Sequence, residues 1–263
     1  MWERAWTADI RRRLMGEGAP GRLRSSAARA GASAVLRPAP EELGRWLARR
    51  HALTYGMPAP ASRVQAGRWI DGWVAALRAA APAVATGTAP GAAYAHQLGQ
   101  ALLYYLHDSG YAARAARRAG HRAAVLSPFA PEAVAAEAEG GEAPYVADWP
   151  EAEVGDALGW TALHFPPEEA EAYAAAFLEA YRRAFALPED AGPFLYARMA
   201  YPAGWLEALG APQAPEQAAR LAAAFRQEKK RTAAVARIRR LLASIGLSAP
   251  AIDWLERGLE AVG

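Results

Sequence analysis

The sequence predicts an all-α fold, an irregular multi-helix bundle of roughly ten alanine-rich helices. Alanine is the most frequent residue, and it has the highest intrinsic helix propensity. Valine, isoleucine and threonine, which favour strands, together number only 21 residues. Proline and glycine clusters divide the chain into segments of helical length, so the sequence indicates both the helices and the points where they end.

The proline and glycine clusters mark the predicted breaks between helices. These breaks fall near residues 16–21, 55–60, 82–91, 127–131, 140–150, 188–193 and 210–215. We interpret the stretch 140–150 as a loop. Between the breaks we expect helices of roughly 10–20 residues, which is the usual range in globular proteins.

The longest uncharged run lies between Arg78 and His107. It is interrupted by Pro82, Gly87 and Pro90, and much of the rest is alanine. It therefore predicts a loop and a buried helix, not a membrane span. The first residues also lack the charged-then-apolar pattern of a signal peptide. We accordingly expect a cytoplasmic protein that does not associate with a membrane.

The clearest helix is predicted over residues 167–187. Pro167 suits its first turn because proline fixes φ, and the glutamates that follow complement the positive end of the helix dipole. Aromatic residues then recur at every fourth position, namely Tyr173, Phe177, Tyr181 and Phe185. Such a stripe on one helix face predicts core packing in preference to a ligand-binding face.

Two further helices are predicted near the end of the chain, over 227–245 and 251–262. The apolar face of the first is formed by Val235, Ile238, Leu242 and Ile245. The buried side chains of the second are expected to be Trp254, Leu255 and Leu259. Each pattern has the spacing of an amphipathic helix that packs one face against a core.

Charge is arranged in blocks along the chain, although the formal net charge is only +3. Residues 1–122 hold 18 basic and 7 acidic residues, and residues 182–263 hold 12 basic and 8 acidic residues. Between them, residues 123–181 hold 12 acidic residues and no basic one. We treat 1–263 as one helical domain. A division into two lobes, a basic 1–122 and a 123–263 that contains the acidic segment, is left open.

Three interpretations of the charge blocks remain open. In the first, the acidic segment packs against the basic ones and offsets their field inside the molecule. In the second, an acidic surface docks a basic protein partner. In the third, basic surfaces bind nucleic acid while the acidic segment faces away. Codon bias explains the abundance of arginine but not its absence from 59 consecutive residues.

Two arginine-rich clusters are the candidate nucleic-acid-binding residues, because the guanidinium fork matches phosphate oxygens. The first cluster falls on one helical face and comprises Arg114, Arg117, Arg118 and Arg122. The second lies on the predicted helix 227–245, on the side away from its apolar face, and comprises Lys229, Lys230, Arg231, Arg237, Arg239 and Arg240. These residues are expected to face solvent.

A protein partner is expected at the acidic segment, with Glu151, Glu153 and Asp156 as the candidate contacts. A short resemblance supports this class. The run His96–Leu106, with the letters HQLGQALLYYL, is similar to the central helix phrase of TorD-type maturation chaperones for molybdoenzymes, although Ala95 and Ala101 replace its acidic residues. Those chaperones are all-α cytoplasmic proteins of similar size, so the resemblance implies a chaperone or adaptor.

Catalytic motifs are sparse in this sequence. Without cysteine, the chain can form no disulfide, no thiolate metal site and no cysteine nucleophile. No phosphate-binding glycine loop precedes either lysine, and no two histidines have the spacing of metal ligands on one helix. We therefore expect no metal, no cofactor and no assigned catalytic residue.

One enzyme class is kept as an alternative. The pairs Arg45–His51 and Arg114–His121 resemble the Arg-x4–6-His spacing of HEPN-type helical ribonucleases, in which histidine would act as acid or base. The leading hypothesis is a helical binding protein that acts within a larger assembly and contacts nucleic acid through its arginine-rich helix faces. A protein-binding adaptor or maturation chaperone is the other alternative.

Overall fold

The computed structural model describes residues 2–16, 25–30, 33–87, 89, 91–127, 129–141, 143–211 and 217–257. The predicted all-α class is confirmed, since helices dominate these residues and strands form only two small sheets. The chain is a multi-helix fold in which alanine allows close helix packing. The most extensive helix contacts join the helix Pro40–Thr54 to Pro167–Ala184, and the helix Pro150–His164 to Gly192–Ala200.

The helices are, in chain order, α1 (Trp2–Leu14), α2 (Pro40–Thr54), α3 (Trp69–Thr86), α4 (Ala92–Asp108), α5 (Tyr111–Arg117), α6 (Pro131–Ala138), α7 (Pro150–His164), α8 (Pro167–Ala184), α9 (Gly192–Ala200), α10 (Ala203–Gly210), α11 (Gln217–Ser244) and α12 (Asp253–Arg257). Short 3-10 helices cover Ala61–Arg63 and Glu189–Ala191. The strands are β1 (Ser25–Ala30), β2 (Ser33–Pro38), β3 (Ala123–Leu126) and β4 (Tyr145–Asp148).

The interpretation of 140–150 as a loop is wrong at its centre, because β4 lies there and pairs with β3. The pairing is antiparallel, with Ala123 opposite Asp148 and Leu126 opposite Tyr145. Every residue of both strands is buried. A strand covered on both faces carries no polar and apolar alternation, which explains why the sequence pattern did not indicate it.

Helix ends differ from the predicted ones where proline is tolerated. The break expected from residue 82 begins only at Gly87, whose φ of 62° ends α3. Pro82 lies inside α3 on an exposed face, where water can hydrate the carbonyl group that loses its hydrogen bond. The predicted helix 227–245 belongs to the longer α11, and the described part of the predicted helix 251–262 is α12.

The core is built from aromatic rings set among small side chains. On α8 the predicted stripe is buried at Tyr173, Phe177 and Tyr181, while Phe185 is half-buried just after the helix. These rings face α2, which approaches α8 most closely at Gly44. A Cβ atom at Gly44 would clash with the Phe177 carbonyl oxygen, so only glycine fits this crossing.

The uncharged run between Arg78 and His107 forms the end of α3, a turn and most of α4. Leu98, Leu102 and Leu106 of α4 are fully buried in the core. None of the helices in the described part of the chain combines the length and the hydrophobicity needed to span a bilayer.

Candidate functional site

The interior of the molecule joins the acidic segment to the basic segments through buried ion pairs. Arg50 of α2 is fully buried and forms salt bridges with Glu137 of α6 and Glu153 of α7. Buried pairs of this kind must be completed by further hydrogen bonds if the cost of desolvation is to be offset. Glu137 accepts such bonds from the Trp46 indole at 2.9 Å and the Tyr145 hydroxyl at 2.7 Å.

His51 continues the same network beside Arg50. Its Nε2 donates to a Glu153 oxygen at 2.8 Å, and its Nδ1 accepts from the Tyr181 hydroxyl at 2.6 Å. Burial lowers the pKa of His51, so the neutral ring is favoured. Burial alone would raise the pKa of Glu153, but the charge of Arg50 and the bond from His51 outweigh it and hold that pKa low.

A second buried group lies around Glu151, the first carboxylate of α7. Arg114 of α5 and Arg118, which directly follows α5, both donate to Glu151 Oε1, and Arg114 also pairs with Asp190. The Arg114 guanidinium lies 4.2 Å from the centre of the Phe194 ring, a cation–π contact. Arg114 and Glu151 are therefore internal partners, and they bind α5 to α7.

A third group surrounds Arg198 of α9. Its guanidinium donates to Asp156 of α7 at 2.9 Å and lies 4.9 Å from the centre of the Trp69 ring. Asp148 is fully buried nearby and accepts bonds from the Trp69 indole and the Trp149 amide. Burial raises the pKa of Asp148 to about 7, although the positive charge of Arg198 opposes the shift.

These three groups favour the first interpretation of the charge blocks. Arginines from the basic segments pair inside the molecule with Glu137, Glu151, Glu153 and Asp156 of the acidic one. The candidate partner contacts Glu151 and Glu153 are fully buried, and Asp156 is only 17% exposed. None of the three offers an open carboxylate to a protein partner in this conformation.

The candidate nucleic-acid-binding residues of α5 and the following loop differ in how far their side chains are exposed to solvent. Arg114 is buried and Arg118 is only 12% exposed, and both are held by Glu151. Arg117 is exposed and Arg122 is half-buried, and neither forms an ion pair with another described residue. The expectation of four arginines on one helix face is therefore wrong, because α5 ends at Arg117 and both Arg118 and Arg122 follow it. Arg114 and Arg118 point toward Glu151 in the interior.

The candidate residues of α11 are placed in the same mixed way. Arg231 is buried and donates to the carbonyl oxygens of Met199, Ala200 and Tyr201 at the end of α9. Partly exposed Arg237 and Arg239 pair with acids of other helices, and Arg240 is exposed. The side chains of Lys229 and Lys230 lie outside the described residues.

An open cleft of about 580 Å³ adjoins the Arg198 group, between α3, α7, the α9–α10 turn and α11. Five aromatic side chains line it: Trp73, Phe129, Trp160, Tyr201 and Trp205. The rings of Trp73 and Tyr201 stack with their centres 3.8 Å apart and almost parallel. The cleft therefore has rigid aromatic walls, which favour ligands that pack against ring faces.

The charged side chains of the cleft are mostly already paired. Arg198 is held by Asp156, and Arg231 is held by Glu228 through a bond of 3.0 Å from its Nε. Exposed Glu207 also lines the cleft and forms no ion pair with another described residue. The lining residues therefore carry one more negative formal charge than positive ones.

The cleft could not be predicted from the sequence because its aromatic residues are spread over more than a hundred positions. Trp73 and Trp205 lie on α3 and α10, which meet only in the folded protein. The indole Nε1 of Trp205 is buried and has no hydrogen-bond partner among the described residues. The abundance of tryptophan was visible, but no periodicity distinguishes a cleft tryptophan from a core one.

Among the residues that the structure describes, no three acidic or histidine side chains are grouped in a way that could hold a metal ion. No protein-family model matches the sequence, and no curated protein is significantly similar to it.

Proposed function

We propose that the protein is a helical binding protein whose aromatic cleft binds a small organic cation. The supporting observation is the combination of five aromatic walls with Glu207, the carboxylate that the lining arginines leave unpaired. An aromatic face attracts a cation through its quadrupole, and a nearby carboxylate adds a direct charge attraction. A concave site with few polar groups is also the usual form of a small-molecule site.

The paired arginines favour a cation over an anion. Arg198 and Arg231 would each have to leave a carboxylate partner before meeting an anionic ligand, which costs buried ion-pair energy. Among the residues that the structure describes, Glu207 has no such partner to release.

The other hypotheses rest on fewer available groups. For a ribonuclease, His51 is fully buried between Glu153 and Tyr181, so it offers no accessible acid or base. In the second pair His121 is exposed, but Arg114 is buried and held by Glu151, so it cannot steady a phosphate. For a protein-binding adaptor, the nominated carboxylates are buried or paired. That class stays a prediction, and it would have to use a different surface.

Calorimetric titration tests the proposal with choline as the cationic probe and 3,3-dimethylbutan-1-ol as its uncharged counterpart of similar shape. We expect saturable binding of choline and at least about tenfold weaker binding of the alcohol. We expect Glu207→Gln to weaken choline binding by about five- to tenfold, because it removes the charge and keeps the shape.

Glu41→Gln is the matched control, since Glu41 is an exposed carboxylate on α2 outside the cleft. Its choline affinity should equal that of the unaltered protein. Equal affinities for choline and the alcohol would contradict the proposal. So would equal effects of the two substitutions, or a failure of choline, spermidine and guanidinium all to bind.

A further inference from the structure

A second surface, which shares no residue with the lining of the cleft, combines exposed aromatic and basic groups. Tyr55 follows α2 and is 42% exposed, which is unusual for a ring of its size in this chain. Its hydroxyl lies 2.7 Å from His121 Nδ1, and its ring lies 5.5 Å from that of Phe185. Three segments of the chain thus meet at one aromatic cluster, formed by Tyr55, His121 and Phe185.

The aromatic cluster is held in place from behind. Phe185 also packs edge-on against the buried rings of His51 and Tyr181. The backbone N–H of Gly56 donates to the Arg122 carbonyl oxygen at 2.7 Å. This bond joins the loop after Tyr55 to the loop that precedes β3. The Tyr55 ring is therefore partly exposed yet positioned, so a flat group can stack on it with little loss of side-chain entropy.

Three arginines lie close to this cluster along the chain or through a backbone contact. Arg122 adjoins His121 in sequence, exposed Arg182 lies one helical turn before Phe185, and Arg13 donates to the Leu53 carbonyl oxygen at 3.1 Å. Arg122 and Arg182 form no ion pair with another described residue. The acidic residues Asp9 and Glu179 also lie nearby, but Asp9 pairs with Arg12 and Arg13 and Glu179 pairs with Arg183.

We infer that this surface binds single-stranded nucleic acid, with a base stacked on Tyr55 and phosphates held by Arg122 and Arg182. Stacking on a protein ring requires an unpaired base, and flanking arginines supply the complementary charge for the backbone. The N–H groups of arginine fit phosphate oxygens, whereas a cationic ligand would be repelled here. This inference is independent of the cleft and of the function proposed for it.

Fluorescence anisotropy with labelled twenty-nucleotide oligo(U) and oligo(dT), and with a duplex of equal length, tests the inference. We expect at least one single strand to bind more tightly than the duplex at 50 mM salt. We expect Tyr55→Leu to weaken that binding at least about fivefold, since loss of one stacked base costs this much or more. Arg122→Gln and Arg182→Gln should each reduce the log–log salt slope by about 0.7.

Two substitutions control for hydrophobic and charge effects. Tyr104→Leu removes an exposed tyrosine of α4, and Arg78→Gln removes an exposed arginine of α3. Both controls should bind like the unaltered protein. Equal losses for Tyr55→Leu and Tyr104→Leu, equal binding of duplex and single strands, or no binding at 50 mM salt would each overturn the inference. A preference for RNA or for DNA identifies the natural strand, and either preference supports it.

Discussion

At the scale of single residues, the most consequential feature is that the buried carboxylates differ in the groups that stabilise their negative charge. Glu153 is ionised because Arg50 and His51 surround it, and its pKa is held low. Asp148 is equally buried but has only two neutral hydrogen-bond donors in direct contact, from Trp69 and Trp149. Its pKa is raised to about 7 because burial outweighs the attraction of Arg198. Near neutral pH this carboxylate therefore costs stability.

Replacing Asp148 with asparagine tests this cost. A raised folded-state pKa means that Asp148 takes up a proton in the folded protein between about pH 7 and pH 4, where the unfolded chain remains ionised. Its penalty is therefore fully present above pH 7 and fades as the pH falls. We expect Asp148→Asn to stabilise the protein more at pH 8 than at pH 5, by about 1–3 kcal/mol in urea unfolding.

His51 has the opposite pH dependence, so the comparison must be a difference between the two proteins. Its lowered pKa means that stability falls as the pH drops below the ordinary histidine value, where only the unfolded chain gains the proton. That contribution is the same in both proteins and cancels. An Asp148→Asn effect that is constant from pH 5 to pH 8 would contradict the assignment.

At the scale of elements, the contact between α2 and α8 depends on a single missing side chain. Gly44 of α2 lies where a Cβ atom would meet the Phe177 carbonyl oxygen and lie 3.1 Å from the Tyr181 amide nitrogen. Backbone atoms of α8 cannot move aside as a flexible side chain would. The crossing also positions His51 and Arg50, so its geometry supports the buried network of ion pairs.

We expect Gly44→Ala to destabilise the protein by about 1–3 kcal/mol, because it overpacks a contact between helix backbones. Gly72→Ala in α3 is the matched control, since a Cβ atom there meets nothing within 4 Å. The control should stabilise the protein by about 0.5–1 kcal/mol through better helix propensity. Thermal and urea unfolding measure both. Stabilisation by both substitutions would show that the crossing has spare room.

The helices were more predictable than the paired strands β3 and β4. Proline and acidic residues at the start of α8 and its four-residue aromatic repeat act locally, so they can be recognised from sequence. The residues Ala123–Leu126 and Tyr145–Asp148 become strands only because each pairs with the other and both are covered. That information is tertiary, and alanine gives no local signal against a loop.

At the scale of the whole molecule, the charge blocks were compatible with internal pairing, but they did not exclude the other two interpretations or indicate which residues would pair. Arg50 pairs with a glutamate 87 positions later, and His51 with one 102 positions later. Spacing rules act over a few residues, so they could not separate buried Arg114 from exposed Arg117 until the neighbouring helices were placed. For the same reason the aromatic cleft was not predicted.

The internal pairing predicts that residues 1–122 and 123–263 depend on each other. The second fragment alone would bury Glu137, Glu151 and Glu153 without Arg50, Arg114 or Arg118, and unpaired buried charges strongly oppose folding. We expect neither fragment to unfold cooperatively on its own at pH 7, as monitored by far-UV circular dichroism. Mixing the two should restore a cooperative transition. Cooperative unfolding of isolated 123–263 would contradict this.

The distance in sequence between Arg50 and its carboxylates also bears on synthesis at the ribosome. Translation adds about 5–20 residues each second, so Arg50 emerges about 5–20 s before the carboxylates that neutralise it. During that interval the nascent chain is strongly basic and its first half has no interior in which to place the guanidinium. The buried network around Arg50 therefore cannot form before α7 has left the exit tunnel.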